Sequence, residues 1–275
     1  MPEYVHGHHP SVLRAHSWRT AQNSCAYMLP YLSEKLKDSP DVRILDVGCG
    51  PGTITCDLAL IYPTIRIIGI EPPQSSSVLS QARSLAQEKK LENVTFEEGD
   101  VFQLQYPDES FDIVHVHQVI QHIPNRVNAV KEIRRVLKPG GFLAARETDW
   151  PSAIWYPSSP SLQDFQAKYA PIHRYTGGDP EMGRKLHALA AEAGFEREKM
   201  KKSSSGWCFS SKEEREWYSQ LWMERIQKSQ FRNSALESGE TTEKEMAGWV
   251  EGWRAWGEDE SGWHAMYSGE IVAFK

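Results

Sequence analysis

With 275 residues, 40% of them hydrophobic, and a net charge of −6, the chain can bury a large core as one domain, with or without an appended lid. No stretch reaches the ~20 uninterrupted apolar residues of a membrane span, and the opening "MPEYVHGHHPSVLRAH" lacks the apolar core of a signal peptide. Four cysteines (Cys25, Cys49, Cys56, Cys208) without C-x-x-C spacing point to free thiols and a cytoplasmic setting, while the acidic balance argues against a nucleic-acid partner.

Residues 1–40 begin polar and take helical spacing through "SWRTAQNSCAYMLPYLSEKL", stopped by "KDSP". From Val42 the pattern becomes strand, turn and helix in repetition: "VRILDV", "GCGPG", "TITCDLALIYP". "RIIGIE" reads as a second strand, "SSSVLSQARSLAQEKKL" as a helix, "NVTFEEGD" and "FDIVHVH" as further strands. Helix "NRVNAVKEIRRVLK" places Val127, Val130, Ile133 and Leu137 on one side and is stopped by "PGG" before a fifth strand, "FLAARE". Strands separated by helices of this length predict an α/β, doubly wound parallel sheet. Beyond Trp150, "PSAIWYPSSPS" reads as a loop, and "LQDFQAKYAPIHRYTGGDP" has no clear form. "GRKLHALAAEAGF" is an amphipathic helix, and "REKMKKSSSGWCF" and "WHAMYSGEIVAF" are strands, with helices between them near 213–230 and 243–256. The basic run "REKMKK" reads as a solvated strand edge.

The glycine turn raises the question of its ligand. It does not match the G-x-x-x-x-G-K-[ST] phosphate loop, and no lysine or arginine lies between Arg43 and Arg66. Gly48, Gly50 and Gly52 approach the dinucleotide fingerprint, but the third glycine arrives one residue early. Charge discriminates further. Asp46, Glu71 and Asp100 end three successive predicted strands, 25 and 29 residues apart (71−46 and 100−71). Ligands of doubly wound folds bind at that edge. A carboxylate beside the turn repels a pyrophosphate and attracts a sulfonium; Glu71 is placed to accept ribose hydroxyls, and Asp100 an adenine amino group. Singly, each acid has a structural explanation: Asp46 as a helix cap, Glu71 before the Pro72-Pro73 turn, Asp100 opening a turn. Jointly they describe a pocket for a phosphate-free, cationic nucleoside, which S-adenosyl-L-methionine fits.

"ILDVGCGPG", "GIEP", "FEEGDVFQLQYPDESFDIVHVHQVIQHIPN" and "EIRRVLKPGG", four motifs in order across residues 42–147, resemble the class I S-adenosylmethionine-dependent methyltransferases, especially the quinone-biosynthesis C-methyltransferase-like branch. The resemblance implies a seven-stranded Rossmann-like sheet whose last strand is antiparallel, with a helical cap. It implies that Gly48 and Gly50 let the backbone pass under the methionine part, that Glu71 holds the ribose, that Asp100 and Val101 hold the adenine, and that His117 and Gln118 line the sulfonium region. Cys49, Gly52 and Pro72 complete the expected cofactor-binding set, although Pro72-Pro73 departs from the usual aspartate or serine. One domain is expected over 1–275: a cap (1–40), a cofactor-binding half (41–150) and an acceptor side (151–275).

Methyl transfer requires alignment and exclusion of water, with a base only for a protonated acceptor. His122, Glu147 and Asp149 are the catalytic candidates, each with a structural alternative: a buried helix histidine, an ion pair with Arg146, the start of the loop at Pro151. His117 is read as a cofactor contact. Tyr4, Trp150 and Trp222 are expected to form the lid and acceptor wall, although most of the ten tryptophans, such as Trp249, Trp253 and Trp256 at helical spacing, read as core. The "HGHH" run (His6, His8, His9) lacks a fourth ligand, so no metal is expected. The predicted function is methyl transfer to a small, partly apolar or aromatic metabolite, without a nucleic-acid or membrane partner. A nicotinamide-dependent oxidoreductase and a non-catalytic S-adenosylmethionine-binding protein are the alternatives.

Overall fold

The computed structural model describes residues 10–275; Tyr4 and the "HGHH" histidines lie outside the described residues. Three short helices lead in: α1 (Pro10–Ser17), α2 (Ala21–Cys25) and α3 (Leu29–Asp38). The sequence reads as one helical stretch here, but Thr20 breaks it by capping α2, its hydroxyl accepting the Asn23 N–H while the Asn23 side chain takes the Thr20 N–H. Pro30 then falls in the first turn of α3, where a missing N–H costs nothing.

The sheet half follows as β1 (Arg43–Val47), α4 (Thr53–Ile61), β2 (Arg66–Glu71), α5 (Ser76–Glu88), β3 (Val94–Glu98), β4 (Phe111–His117), α6 (Arg126–Val136) and β5 (Leu137–Thr148). Helix α6 ends before Leu137, earlier than the sequence suggests. Leu137 already pairs with Phe111, and "KPGG" lies within the strand, where the β4–β5 register slips between Phe111 and Ile113.

The rest of the chain contains β6 (Ile154–Tyr156), α7 (Pro160–Tyr175), α8 (Met182–Glu192), β7 (Met200–Phe209), α9 (Lys212–Lys228), α10 (Gln230–Glu237), α11 (Glu243–Glu258) and β8 (Trp263–Phe274). Two of these differ from the sequence reading. Strand β6 occupies the middle of a segment read as loop, and α7 spans the segment of unclear form, tolerating Pro171 in its interior. Capping boxes Ser211/Glu214 and Thr242/Glu245 start α9 and α11, each a contribution of about 1 kcal/mol.

The eight strands form one sheet in the order β3-β2-β1-β4-β5-β8-β6, with β7 on the other edge of β8. Strands β1 to β5 run parallel and β8 antiparallel to β5, as expected, while the extra strand β6 pairs with Trp263–Ala265 beyond the end of β5. Alternation along β1 divides the core: Leu45 and Val47 pack with α6 and α8 on one face, and Ile44 packs with α2 to α5 on the other. A third core, rich in indole, joins α7, α9, α10 and α11 above the carboxyl ends of the strands. It holds Trp249, Trp253 and Trp256, as their spacing indicates.

Candidate active site

A cavity of about 900 Å³ opens at the carboxyl ends of β1, β2 and β4. Gly48, Cys49, Gly50, Glu71, Pro72, Asp100, Val101, His117, Gln118 and His122 all line it, so most of the set expected from the sequence converges here. Gly48 takes φ +70°, and a Cβ there would sit 2.3 Å from the Val119 side chain, so only glycine fits. Gly52 does not line the cavity. Its missing Cβ makes room for Phe96 and Ala82 under the start of α4, a packing requirement rather than a ligand contact.

Glu71 accepts the Gly50 N–H at 2.6 Å. Burial pushes its carboxyl up to about 7, against the opposing pull of the Gly50 and Ser75 hydrogen bonds. Asp100 is exposed; one oxygen closes a turn by accepting the Phe102 N–H at 2.9 Å, and its residue stays on the cavity wall. Asp46 differs from expectation. It lines the cavity, but it is 2% exposed, and its oxygens are spent on the Thr55 hydroxyl (2.5 Å) and His115 Nδ1 (2.7 Å). His115 Nε2 lies 3.2 Å from Cys25 Sγ, so a buried thiol–imidazole–carboxylate chain connects α2 to the glycine turn. Burial works against charge on His115, but the Cys25 sulfur and the Asp46 carboxylate outweigh it and hold the imidazole well above its ordinary range. Asp46 is therefore matched internally and is not a free negative charge facing a ligand.

His117 is buried with no hydrogen-bond partner at either ring nitrogen. Burial, reinforced by Arg19 and Arg146, keeps it well below its ordinary range and hence neutral. Gln118 follows with φ +55°, a left-handed conformation uncommon outside glycine. Its Oε1 accepts from Arg19 at 2.6 Å while its Nε2 stays buried without a partner. Such orphaned polar atoms on a roomy wall mark where a ligand completes the hydrogen bonding. Together with the glycine cradle and the Glu71 acceptor, they fit the adenosine-bearing cofactor expected from the sequence.

A smaller chamber of about 80 Å³, lined largely by residues of the aromatic core, shares His16, Arg19, Gln118 and His122 with the cavity. Trp150 and Trp222 line this chamber. Both are nearly buried, Trp150 stacking on Tyr169 with ring centroids 3.8 Å apart. His122 sits at the junction. Gln121 spends its carbonyl on the Thr148 N–H, so its amide donates to His122 Nε2 at 3.1 Å. His122 Nδ1 then carries the hydrogen and donates to His173 Nε2 at 3.0 Å. Burial and the neighbouring His173 keep His122 well below its ordinary range.

The other two catalytic candidates are corrected. Glu147 is fully buried, and its carboxylate accepts the N–H groups of Val119 (2.9 Å), Ile120 (2.8 Å) and Gln121 (3.2 Å), fastening the turn that carries His122. It pairs with no arginine: Arg146 bonds Glu270 and Ser205 and lies over the Trp207 ring. Asp149 is gripped by Arg184 at 2.5 and 2.6 Å and lines a separate groove between α8 and β8. Sequence reasoning missed His173 and Arg19, along with Lys228, Ser229 and Gln230, which bring the α9–α10 break to the cavity rim. No motif marks them.

Comparison with known proteins bears on what this arrangement belongs to. A family model described as a methyltransferase domain matches residues 38–221. An uncharacterized methyltransferase of Schizosaccharomyces pombe is 36% identical, the match covering 98% of this chain and 95% of that protein. A probable methyltransferase of Aspergillus luteorubrus is 33% identical over 99% of this chain and 97% of its own. In fold, the chain is similar to phosphoethanolamine N-methyltransferase 2 of Haemonchus contortus solved with S-adenosyl-L-methionine, at TM-score 0.52 and 17% identity, over 88% of this chain and 51% of that one.

Proposed function

This chain belongs to the class I S-adenosylmethionine-dependent methyltransferases, and from that premise we propose that it methylates a small, partly apolar or aromatic molecule held in the inner chamber. The nicotinamide alternative falls with the family assignment. The observation that carries the reading is the wall the two spaces share: a glycine-lined cavity sized for a cofactor adjoins a chamber walled by indoles, with Gln118 and His122 lining both.

When bound, S-adenosylmethionine supplies a methyl carbon that takes the acceptor's electron pair as its bond to sulfur breaks, leaving S-adenosylhomocysteine. The chain's own residues do the positioning. Glu71 accepts hydrogen bonds from the ribose, and Asp100 with Val101 lies along the adenine. His117 and Gln118 border the sulfonium end, with Cys49 and Pro72 completing the wall. The indoles exclude water around the acceptor. His122 is the base: an acceptor hydroxyl or thiol that displaces the Gln121 amide at Nε2 meets a neutral imidazole able to take its proton. Glu147 and His173 hold that imidazole in place and do not touch the reactants. A small-molecule acceptor fits the lack of a basic stripe, and a cytoplasmic setting fits the four free cysteines; among the described residues no helix is long and apolar enough to cross a membrane.

The test is a metabolite extract incubated with the enzyme and isotope-labelled methyl donor, read by mass spectrometry. Label is expected in a small aromatic or partly apolar product, with stoichiometric S-adenosylhomocysteine. Label confined to protein or nucleic acid would overturn the reading. S-adenosylmethionine bound without any S-adenosylhomocysteine formed would favour the non-catalytic alternative.

A further inference from the structure

The Trp263 end of β8 runs on past the end of β5, flanked by β6 and the end of β7, and the two faces of this extension differ. One face carries Trp155, His264, Met266, Trp207 and Phe209. It packs on the indole-rich core, and Met266, Trp207 and Phe209 line the chamber. Alternation puts the intervening residues on the opposite face. There Tyr156 pairs with Trp263, Ile154 and Cys208 flank Ala265, and Gly206 sits beside Tyr267. Helix α8 covers that face at Gly269, where a Cβ would stand 2.0 Å from the Gly183 carbonyl oxygen. Short of Gly269 the face is open, with Ile154, Tyr156, Trp263 and Tyr267 39–61% exposed.

Large apolar side chains scattered singly over a surface carry no message, but a contiguous aromatic face marks an interaction surface. Its charges choose the occupant. At the Trp263 end lies the acidic turn of Glu258, Asp259 and Glu260; beyond Tyr267 lies Lys202, paired with Ile271 in the groove beside α8. Lys202, Glu258 and Glu260 are exposed and form no salt bridge among the described residues. Arg184 in the same groove is already held by Asp149, so Lys202 gives that end its sign. A partner of uniform charge would meet a like charge at one end or the other. A face with an acidic end, an aromatic middle and a basic end is instead complementary to itself turned end for end. A two-fold axis crossing the strands at Ala265 brings Trp263 of one copy onto Tyr267 of the other. It also sets Asp259 and Glu260 at the level of Ile271 and Glu270, where Lys202 stands. Cys208 and Ile154 are the cross-strand neighbours of Ala265, so both lie on that axis.

We propose that this face is the contact of a two-fold dimer, two copies stacked face to face with their β8 strands antiparallel. The small Ala265 at the centre lets the aromatic rings on either side interdigitate, and the charged ends form a polar rim. The same rotation carries α8 of each copy past the end of the other's β8, so the helix does not block the approach. Stacked sheets lie about 10 Å apart, which leaves the two Cys208 thiols facing each other within reach of a short cross-linker. The dimer braces from behind the strands whose other face walls the chamber.

Sedimentation equilibrium of the full chain from about 1 to 100 μM tests this, and a concentration-dependent dimer is expected. Tyr267→Arg, at a half-exposed position, should leave a monomer with unchanged circular dichroism. Lys202→Glu and Glu260→Lys each act twice in a two-fold contact and should weaken the dimer by at least about tenfold. Combining the two exchanges in one chain should restore it, which a merely local effect on folding would not do. A short bismaleimide should cross-link the wild-type dimer and fail with Cys208→Ser, since Cys25 and Cys56 are buried. A monomer at every concentration would overturn the proposal and leave the face to a different protein. A dimer indifferent to Tyr267→Arg, or a double exchange no tighter than its single variants, would overturn it as well.

Discussion

At the ends of β1 to β5, carboxylates are matched to neighbouring backbone or to buried side chains: Glu147 to three N–H groups, Glu71 to Gly50, Asp46 to His115 and Thr55. In the cap of α7 and α9 to α11, some indole N–H groups find partners far along the chain, as Trp249 does at Asp164 and Trp256 at the Tyr156 carbonyl, while the Trp253 N–H is buried without one. The sheet rim is thus a set of local devices, each made by a strand end and the turn after it. The cap is a collective aromatic packing in which no one contact defines the chamber. Substitutions at the rim should therefore act sharply and singly, those in the cap diffusely.

The sharpest break is expected at Glu147. Glu147→Ala leaves three N–H groups without an acceptor, those of Ile120 and Gln121 buried and that of Val119 partly so, a loss of about 2 kcal/mol or more of stability at 1–3 kcal/mol for each buried unsatisfied group. Glu147→Gln keeps one acceptor oxygen and should cost less. Denaturant unfolding measures both. If Glu147→Gln instead left stability intact and abolished turnover, the residue would be a catalytic base and the rim would not be a structural device at that point.

Next comes Glu71. Replacing it by Ala should weaken S-adenosylmethionine binding by about 1 to 3 kcal/mol in calorimetry, and unchanged affinity would remove Glu71 from the site. Its titration sharpens the test. Glu71 and Glu147 both have carboxyls raised from 4.5 to about 7 by burial, so in that window the cofactor-free folded chain holds protons the unfolded chain has released. Their contribution to stability is therefore present below about pH 4.5 and is lost as pH rises toward about 7. Accepting the ribose hydroxyls favours the ionised form of Glu71, so cofactor affinity should change in the opposite sense, growing from pH 6 to 8. Melting temperatures of the free and cofactor-saturated chain across that range should diverge, and Glu71→Gln should flatten the cofactor's pH dependence.

What the sequence made legible follows the same division. Gly48, Glu71 and Asp100 could be placed because a strand end and its following turn are local geometry, carried by a few adjacent residues. The direction of a carboxylate is not local. Asp149 and Glu147 occupy the expected strand end, yet one turns to Arg184 on α8 and the other back beneath the Val119–Gln121 turn, choices made by whatever packs alongside. His173 reaches His122 across 51 residues and Arg19 reaches Gln118 across 99, so neither leaves a spacing to read. The early end of α6 is of the same kind: helix propensity runs on to "VLK", but pairing with Phe111 claims Leu137 for the sheet.

The Cys25–His115–Asp46 chain crosses the division, since α2 belongs to the leading helices and Asp46 to the rim. Cys25→Ala removes the partner of a fully buried ring nitrogen and should cost about 1 to 2 kcal/mol of stability. The raised His115 contributes stability that is fully present below pH 6.5 and is lost as pH rises through its folded value. Without the sulfur that loss should begin at lower pH, visible as an earlier titration of the His115 ring in NMR. Cofactor affinity should shift only a few-fold, because Thr55 still holds Asp46; a complete loss of binding would mean that the leading helices help build the cofactor site.

The smallest effect is expected at Asp149, and it separates position from role. Its carboxylate faces the Arg184 guanidinium, whose side chain is 55% exposed. Solvent screens such a pair to at most about 1 kcal/mol, and the groove it borders is not part of the cofactor cavity or the chamber. Asp149→Asn should therefore leave turnover within about twofold and lower stability by no more than about 1 kcal/mol. The strand-end argument that nominates Asp149 as a base applies equally to His122, which does line the chamber. A hundredfold fall in kcat for Asp149→Asn with unchanged stability would mean that the α8–β8 groove, and not the indole-walled space, receives the acceptor; a fall of that size for His122→Asn alone would place the chemistry at the junction.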